Sequence, residues 1–331
     1  MRFEQQPPPK RTGPLLCLAL AVLFHPLAKA EPLVPLTVQL DWIANAQFAG
    51  LLVAKEKGWY AQQGLDVTIE PVDQTTLDTV TPVVKGRNVV GCADGMVLLR
   101  ARQARQPIQA FATTLQASPL GIVTLRSSHL NQLKNLAGKT IGLHAYDRPQ
   151  LDIMLKANGL SLDQVKVKEI GDDITSLAAG LIDAQVVYLI DEKLAMEEKG
   201  IELNVFPGYA NNYSTYSQVY FARTDFLESH REVLAKFLTA TNRGWEEAFA
   251  HPDKTAAMLV SRYLPGKNFT YQVRSLEELR HFATLESPRL GEMRLATWKR
   301  SCALFHLDPA LASQLANFSV LRAMYGKGAQ P

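Results

Sequence analysis

Hydrophobic positions between residues 36 and 222 fall into two alternating kinds of run. Leu36–Leu40, Leu65–Ile69, Val89–Cys92 and Ile108–Leu115 are continuous apolar stretches of strand length. Between them the apolar positions recur at helical spacing: Phe48 to Tyr60, Leu77 to Val84 with a stop at Gly86, and Met96 to Arg105. The alternation then starts again. Gly121–Leu125, Gly138–Leu143, Val165–Ile170, Ala184–Leu189 and Tyr216–Ala222 read as strands. Pro149 to Asn158 reads as a helix, and Ile174–Ala179 as a short one closed at Gly180. Strands interleaved with helices predict an α/β architecture built on largely parallel sheet.

Two such series imply two lobes, one over 31–118 and a second over 119–224. From 225 to 331 the pattern is almost wholly helical, opening on an expected capping box at Ser229 and Glu232. A helical tail of that length packs back on the first lobe, so the chain crosses between lobes twice, and the two crossings form a hinge.

Residues 1–30 are set aside as a leader. Lys10 and Arg11 precede the apolar run Leu15 to Leu27, and Ala28-Lys29-Ala30 offers small residues at cleavage spacing. The expectation is a secretory signal cut after Ala30 and a periplasmic mature protein; a short membrane anchor is the alternative, and Cys17 lacks the small residues that precede a lipidated Cys. The whole chain has 331 residues, 47% hydrophobic and 20% charged, which suits a globular fold. Taking the four basic and one acidic residues of 1–30 from the 35 and 32 of the chain leaves 31 of each sign. A neutral mature protein argues against a nucleic-acid partner. Cys92 and Cys302 read as isolated buried thiols, and no His or Cys spacing suits a metal. No P-loop, GxGxxG or Ser-His-Asp pattern supports a kinase, dehydrogenase or hydrolase.

The stretch LDWIANAQFAG, from Leu40 to Gly50, places a Trp, two amides and a Phe where a strand turns into a helix. Ligands in open α/β sheets sit at such carboxyl ends of strands. Trp42 can stack on a planar heterocycle, and Asn45 and Gln47 offer donor and acceptor edges to a ring amide or aminopyrimidine. Core packing is the alternative for Trp42, and more so for Phe48, which begins the apolar helix face. Asp94 and Gly95 follow the third strand, where Asp94 accepts a ligand amino group or caps the next helix. Gln116 and Ser118 stand at the first crossing, facing a cleft or serving the hinge.

In the second lobe His144, Tyr146 and Asp147 precede a helix start that favours anions such as a ligand phosphate or carboxylate. A structural His is the plainer alternative. Tyr188 and Glu192 flank the exit of the strand AQVVY; Glu192 either pairs with an amino-bearing ring or complements the helix dipole. Asn212, Tyr213 and Tyr216 lie in an amide- and tyrosine-rich loop before the last strand, one of whose tyrosines is expected to cover the ligand.

LDWIANAQFAGLLVAKEKGWYAQQGLDVTIEP, followed by GCADG, LQASPLG, LAGKTIGL, LAAGLIDAQVVY and NYSTYSQVYFARTDFL, resembles ABC-transporter solute-binding proteins of the thiamine-pyrimidine and sulfonate group. The resemblance spans roughly 36–320. It implies a type II periplasmic binding protein fold with a ligand cleft between two α/β lobes. It also implies a monomer that binds a small aromatic heterocycle, a thiamine pyrimidine precursor or a flavin, without cofactor or catalysis, and passes it to an inner-membrane permease and ATPase. Relatives that bind thiamine-type pyrimidines have a His where this chain has Phe48, and the QFAG and QASP forms resemble members suspected of carrying flavins. Two other readings share the fold: a thiamine pyrimidine synthase, whose chemistry needs that His and a Cys-rich iron stretch, and a sensor subunit of a signalling system.

Overall fold

The computed structural model describes Met1, Phe3, Glu4 and residues 32–326 apart from Gln74 and Asp172. The expected leader, its cleavage after Ala30 and Cys17 lie outside the described residues. The unit Leu33–Pro331 holds every described strand and helix. In chain order these are β1 (Val34–Gln39), α1 (Ala49–Glu56), α2 (Trp59–Gln62), β2 (Leu65–Glu70), α3 (Val80–Lys85), β3 (Val89–Ala93), α4 (Gly95–Gln103), β4 (Ile108–Leu115) and β5 (Leu120–Leu125). Then come β6 (Thr140–Leu143), α5 (Arg148–Ala157), β7 (Lys166–Glu169), β8 (Ala184–Tyr188), α6 (Glu192–Glu198), β9 (Leu203–Pro207) and β10 (Ser217–Arg223). The remaining helices are α7 (Thr224–Ser229), α8 (Arg231–Ala250), α9 (Pro252–Arg262), α10 (Phe269–Thr284), α11 (Leu295–Leu304), α12 (Ala310–Leu315) and α13 (Ser319–Tyr325).

Two five-stranded sheets form the two lobes, ordered β2-β1-β3-β10-β4 and β7-β6-β8-β5-β9. The chain passes from the first to the second through Gln116–Pro119 and returns through residues 208–216, as the two-crossing fold requires. The expectation of largely parallel sheet is corrected. β1 runs parallel to β2 and β3, and β6 to β7 and β8, whereas β10 opposes β3 and β4, and β5 opposes β8 and β9. The reason is topological: β5 and β10 each enter their sheet from a crossing, at the end where the parallel strands leave it.

Burial follows sheet position. Interior strand β10 is buried almost throughout, and so is edge strand β4, whose open side is covered through bridges of Ala110 to Ala316 and Thr113 to Gly291, while edge strand β2 alternates, with Leu65 and Val67 inward and Asp66 and Thr68 outward. Edge strand β7, sequence KVKE, protects its open side with charge.

Three local expectations are also corrected. The helix expected from Leu77 starts at Val80, because Asp78 Oδ1 accepts from Val80 N and Thr81 N at 3.0 Å, and Leu77 itself turns left-handed at φ 50°. Ile174–Ala179 forms turns rather than a helix, since the Asp173 carboxylate captures Thr175 N at 2.7 Å and both following hydroxyls. Ser229 makes no capping box: it ends α7, its Oγ donating to Asp225 O at 2.6 Å, and α8 begins afresh at Arg231. The first helix, expected to end near Gly58 or Gly64, does end at Gly58, whose φ of 68° separates α1 from α2. Strand β9 was not among the expected strands, although Ile201, Leu203 and Val205 alternate there with Glu202 and Asn204.

The C-terminal helices meet the first lobe at a close crossing of α8 on α1. A Cβ at Gly244 would stand 1.9 Å from Gly50 O, so only a bare backbone lets the helices approach. Tyr60 and Thr241 hydrogen bond beside it at 2.8 Å. Helix α10 reaches the second lobe as well. Lys193 Nζ on α6 lies 2.7 Å from Glu278, Arg274 pairs with Glu197, Tyr271 donates to Asp191, and Ser275 Oγ donates to Ile190 O at 3.0 Å. The Lys193 side chain is only 12% exposed, so its pairing is worth more than a typical surface ion pair. Lys193→Ala is expected to lower stability by about 1 kcal/mol, read as a reduced urea midpoint at unchanged slope. An unaltered midpoint would show the strap to be energetically idle.

Cys92 and Cys302 are separate, buried thiols. Among the described residues no group of His, Cys, Asp and Glu suits a metal ion, and no helix is long and apolar enough to cross a membrane.

Candidate functional site

The parallel strands of both sheets end facing the other lobe, and each carboxyl end presents an acidic residue. Asp41 follows β1, Asp94 follows β3, Asp147 follows β6 and Glu192 follows β8. Trp42, half-buried, packs against the core beside Asp41. The loop then closes on itself: Asn45 Oδ1 accepts from Gln47 N at 2.9 Å and caps the single 3-10 turn Ala46–Phe48.

Asp94 is the centre of the polar contacts. Its carboxyl accepts from Tyr188 Oη at 2.9 Å, a bond from the second lobe to the first, and from Ser217 Oγ at the start of β10. The neighbouring Gln218 is held at φ 52°, a conformation that costs a non-glycine residue on the order of 1 kcal/mol. That twist lets its amide donate to Gln47 O in the Trp42 loop, while its own Oε1, in a residue 1% exposed, has no partner. From the crossings, the buried Tyr213 hydroxyl lies near the Ser118 and Gln150 side chains. His144 stacks on Tyr146 at 5.0 Å and lies 4.0 Å from Glu192, whose other oxygen accepts from Tyr188 N at 2.8 Å.

The carboxyls work against one another. Burial, and then the charge of Asp94, push Asp41 from its ordinary 3.8 up to about 8. Burial, followed by Asp94 and Glu192, pushes Asp147 up to about 7. Asp94 is raised by its burial in spite of the hydroxyls of Ser217 and Tyr188. Burial, then the field of Asp94, holds the Tyr188 and Tyr213 phenols well above their usual value. Asp41 Oδ1 is shielded from water and has no hydrogen-bond partner. Donors or positive charge placed beside this set favour its ionised forms, whereas an anion beside it would raise these carboxyls further.

Of the residues expected from the sequence, the structure joins Asp94 to Tyr188, Tyr188 to Glu192 and Glu192 to His144, ties Gln47 in through Gln218 beside Ser217, and sets Asn45 and Trp42 in the loop of Gln47 and Ser118 and Tyr213 at the crossings. Others stand apart. Phe48 is 1% exposed within the first-lobe core. Gly95 is packed beneath Thr215, Tyr216 and Trp298. Tyr216 turns its ring edge to Trp298 at 5.4 Å, and its hydroxyl accepts from Arg294 N at 2.7 Å. Gln116 is buried and donates to Glu292 O at 2.8 Å, a hinge contact. Asn212 is exposed at φ 64°, closing a turn, and Tyr146, though stacked on His144, is 59% exposed. Sequence reasoning did not single out Asp41, Ser217 or Gln218, and it placed Asp147 beside His144 and Tyr146 at the helix start without giving the carboxyl a role of its own. A signal existed for Asp41 and Asp147: all four carboxyls fall one to four residues past the end of a parallel strand.

Comparison with known proteins agrees with this architecture. The sequence is 26% identical over 259 residues, 75% of this chain and 78% of the relative, to a formylaminopyrimidine-binding protein of Halalkalibacterium halodurans. It is 27% identical over 244 residues, 71% and 69% of the two chains, to the riboflavin-binding protein RibY of Chloroflexus aurantiacus. A 4-amino-5-hydroxymethyl-2-methylpyrimidine phosphate synthase of Legionella pneumophila is 23% identical over 230 residues, 67% and 72% of the two chains. Similar sequences thus include binding proteins and an enzyme. The fold matches the periplasmic aliphatic sulphonate binding protein SsuA of Escherichia coli with a TM-score of 0.67 at 13% identity, over 82% of this chain and 86% of that one. The two α/β lobes and their double crossing are those of a type II periplasmic binding protein. Residues 45–255 match the family described as NMT1/THI5 like, and the chain belongs to that family.

Proposed function

We propose that the protein is the solute-binding component of an importer, holding a planar, amino-bearing heterocycle of the aminopyrimidine kind between its lobes without altering it. The observation that carries this reading is the convergence of Asp41, Asp94, Asp147 and Glu192 on one cleft with an unpartnered Asp41 oxygen. Exocyclic amino groups and a protonated ring nitrogen supply the donors such a set needs, and Trp42 supplies a stacking face. The carboxyls disfavour a sulfonate or phosphate at the α5 start. The names of the relatives that bind formylaminopyrimidine and riboflavin favour a heterocycle. The flavin alternative rests on the QFAG and QASP forms of the Trp42 loop and first crossing.

Binding in the micromolar range corresponds to about −8 kcal/mol. An exported, monomeric protein with the leader 1–30 would serve a permease and ATPase of the inner membrane. The non-catalytic reading is supported by Phe48, which is buried and apolar where the synthase chemistry needs a His. Titration calorimetry with 4-amino-5-hydroxymethyl-2-methylpyrimidine, its aminomethyl analogue and riboflavin tests the proposal; silence from all three would refute it. Conversion of a bound pyrimidine to a new product would transfer the protein to the enzyme class. Trp42→Ala is expected to weaken binding by about 1–2 kcal/mol while leaving the melting temperature unchanged. Loss of the fold instead would assign the indole to the core.

A further inference from the structure

Where the Trp42 loop, the start of α6 and the flank of α10 meet, they border a partly open cavity of about 10 Å³. Space of that size accommodates one heavy atom, such as a water oxygen or the terminal group of a larger molecule. Three residues with side-chain amides, Asn45, Gln47 and Gln272, are among those lining it, with Asp191, Tyr271 and Ser275, and Ala46 and Ile190 add apolar wall. Two neighbouring hydroxyls are already committed. The Tyr271 hydroxyl donates to Asp191, and Ser275 Oγ donates to Ile190 O. Gln272 is 4% exposed, and its Oε1 is shielded from water with no hydrogen-bond partner. Leaving such an acceptor unsatisfied is costly, so the wall is built to receive a donor.

We infer that this cavity is a subsite for a single terminal hydrogen-bond donor of the solute, a hydroxyl or amino group, with Gln272 as its acceptor. Asn45 and Gln47 belong to both the cavity and the Trp42 loop, so a ring stacked on Trp42 can carry a substituent into it. A solute lacking that substituent leaves the acceptor without a ligand partner, and a site built around a hydrogen bond rejects such an analogue far more strongly than an apolar pocket rejects a missing methylene. The inference rests on the proposed heterocycle binding and adds the residue that reads the heterocycle's far end. Its location on α10, outside both strand-end loops, also makes the subsite depend on the contact of α10 with both lobes.

The test compares 4-amino-5-hydroxymethyl-2-methylpyrimidine with 4-amino-2,5-dimethylpyrimidine, which lacks only the hydroxyl, by titration calorimetry on the full chain. Wild-type protein is expected to prefer the hydroxymethyl compound by about tenfold or more. Gln272→Met, close in volume and without the amide oxygen, is expected to reduce that preference to less than about twofold while leaving the dimethyl compound's affinity unchanged. Equal affinity of both compounds for the wild-type protein overturns the subsite but leaves heterocycle binding standing. A preference that persists in Gln272→Met overturns the assignment to Gln272. Binding of neither compound removes the aminopyrimidine reading and the subsite together. Should Gln272→Met fail to fold, Gln272→Leu, which also lacks the amide oxygen, is read by the same criterion.

Discussion

Asp94→Ala is expected to lower solute affinity at least a hundredfold, about 3 kcal/mol, without lowering the stability of the empty protein. In the complex the ligand loses its central carboxylate, a charge-assisted acceptor, whereas Tyr188 Oη and Ser217 Oγ lose theirs in the empty and the bound protein alike. In the empty protein the balance differs. Asp94 is itself buried and is among the causes that raise Asp41 and Asp147, so its removal lets those carboxyls ionise more easily. That relief offsets the two broken hydrogen bonds. Calorimetry and a thermal melt on the same preparation separate the effects. A fall of many degrees in melting temperature with unaltered affinity would make Asp94 a structural strut.

The stability of the empty protein should decline as pH rises from about 4 to about 8 and then level off. Asp41 keeps its proton up to about 8 and Asp147 up to about 7 in the folded chain, while each ionises near 3.8 when unfolded. Between those limits the folded state binds more protons than the unfolded one, and stability falls with pH wherever that holds. The contribution is fully present below pH 4 and is lost as pH rises through 7 and 8. Asp41→Asn keeps the shape of the side chain and removes its charge. It is expected to flatten the decline and to raise stability at pH 8 by on the order of 2–4 kcal/mol, since one pKa unit is worth about 1.4 kcal/mol and part of the shift belongs to the Asp94 interaction. The same substitution should weaken binding of an aminopyrimidine. Urea midpoints at pH 5, 6.5 and 8 measure the first effect. A stability that rises over this window would show that Asp41 is ionised in the folded protein and would remove the electrostatic basis of the proposed site.

Much of the fold was legible in the chain because its causes are local. Runs such as Val89–Ala93 and Ala184–Tyr188 are too apolar and β-branched for a surface, and Gly86 and Gly159 stand where helices stop. The polar and aromatic composition of LDWIANAQFAG marked a loop with work beyond packing, and Asn45 and Gln47 are found at its turn. Local signals also misled. Ser229 and Glu232 have cap spacing, yet the serine's hydroxyl is taken by the preceding turn. Tyr216 looked like a ring over the cleft, but α11, which the spacing of a loop cannot locate, claims it through Trp298 and Arg294.

By itself the sequence determined two α/β series, two passages between them, and polar loops at the ends of their strands, since period, turn chemistry and side-chain size act between near neighbours in the chain. Tertiary structure decided which way β5 and β10 run, which residues meet across the lobes, and what charge the cleft tolerates. Asp94 and Tyr188 are 94 positions apart, and Gln47 and Gln218 are 171 apart. A carboxyl's ionisation and an amide's free acceptor are set by whatever surrounds them after folding, so they became readable only once both sheets were brought end to end.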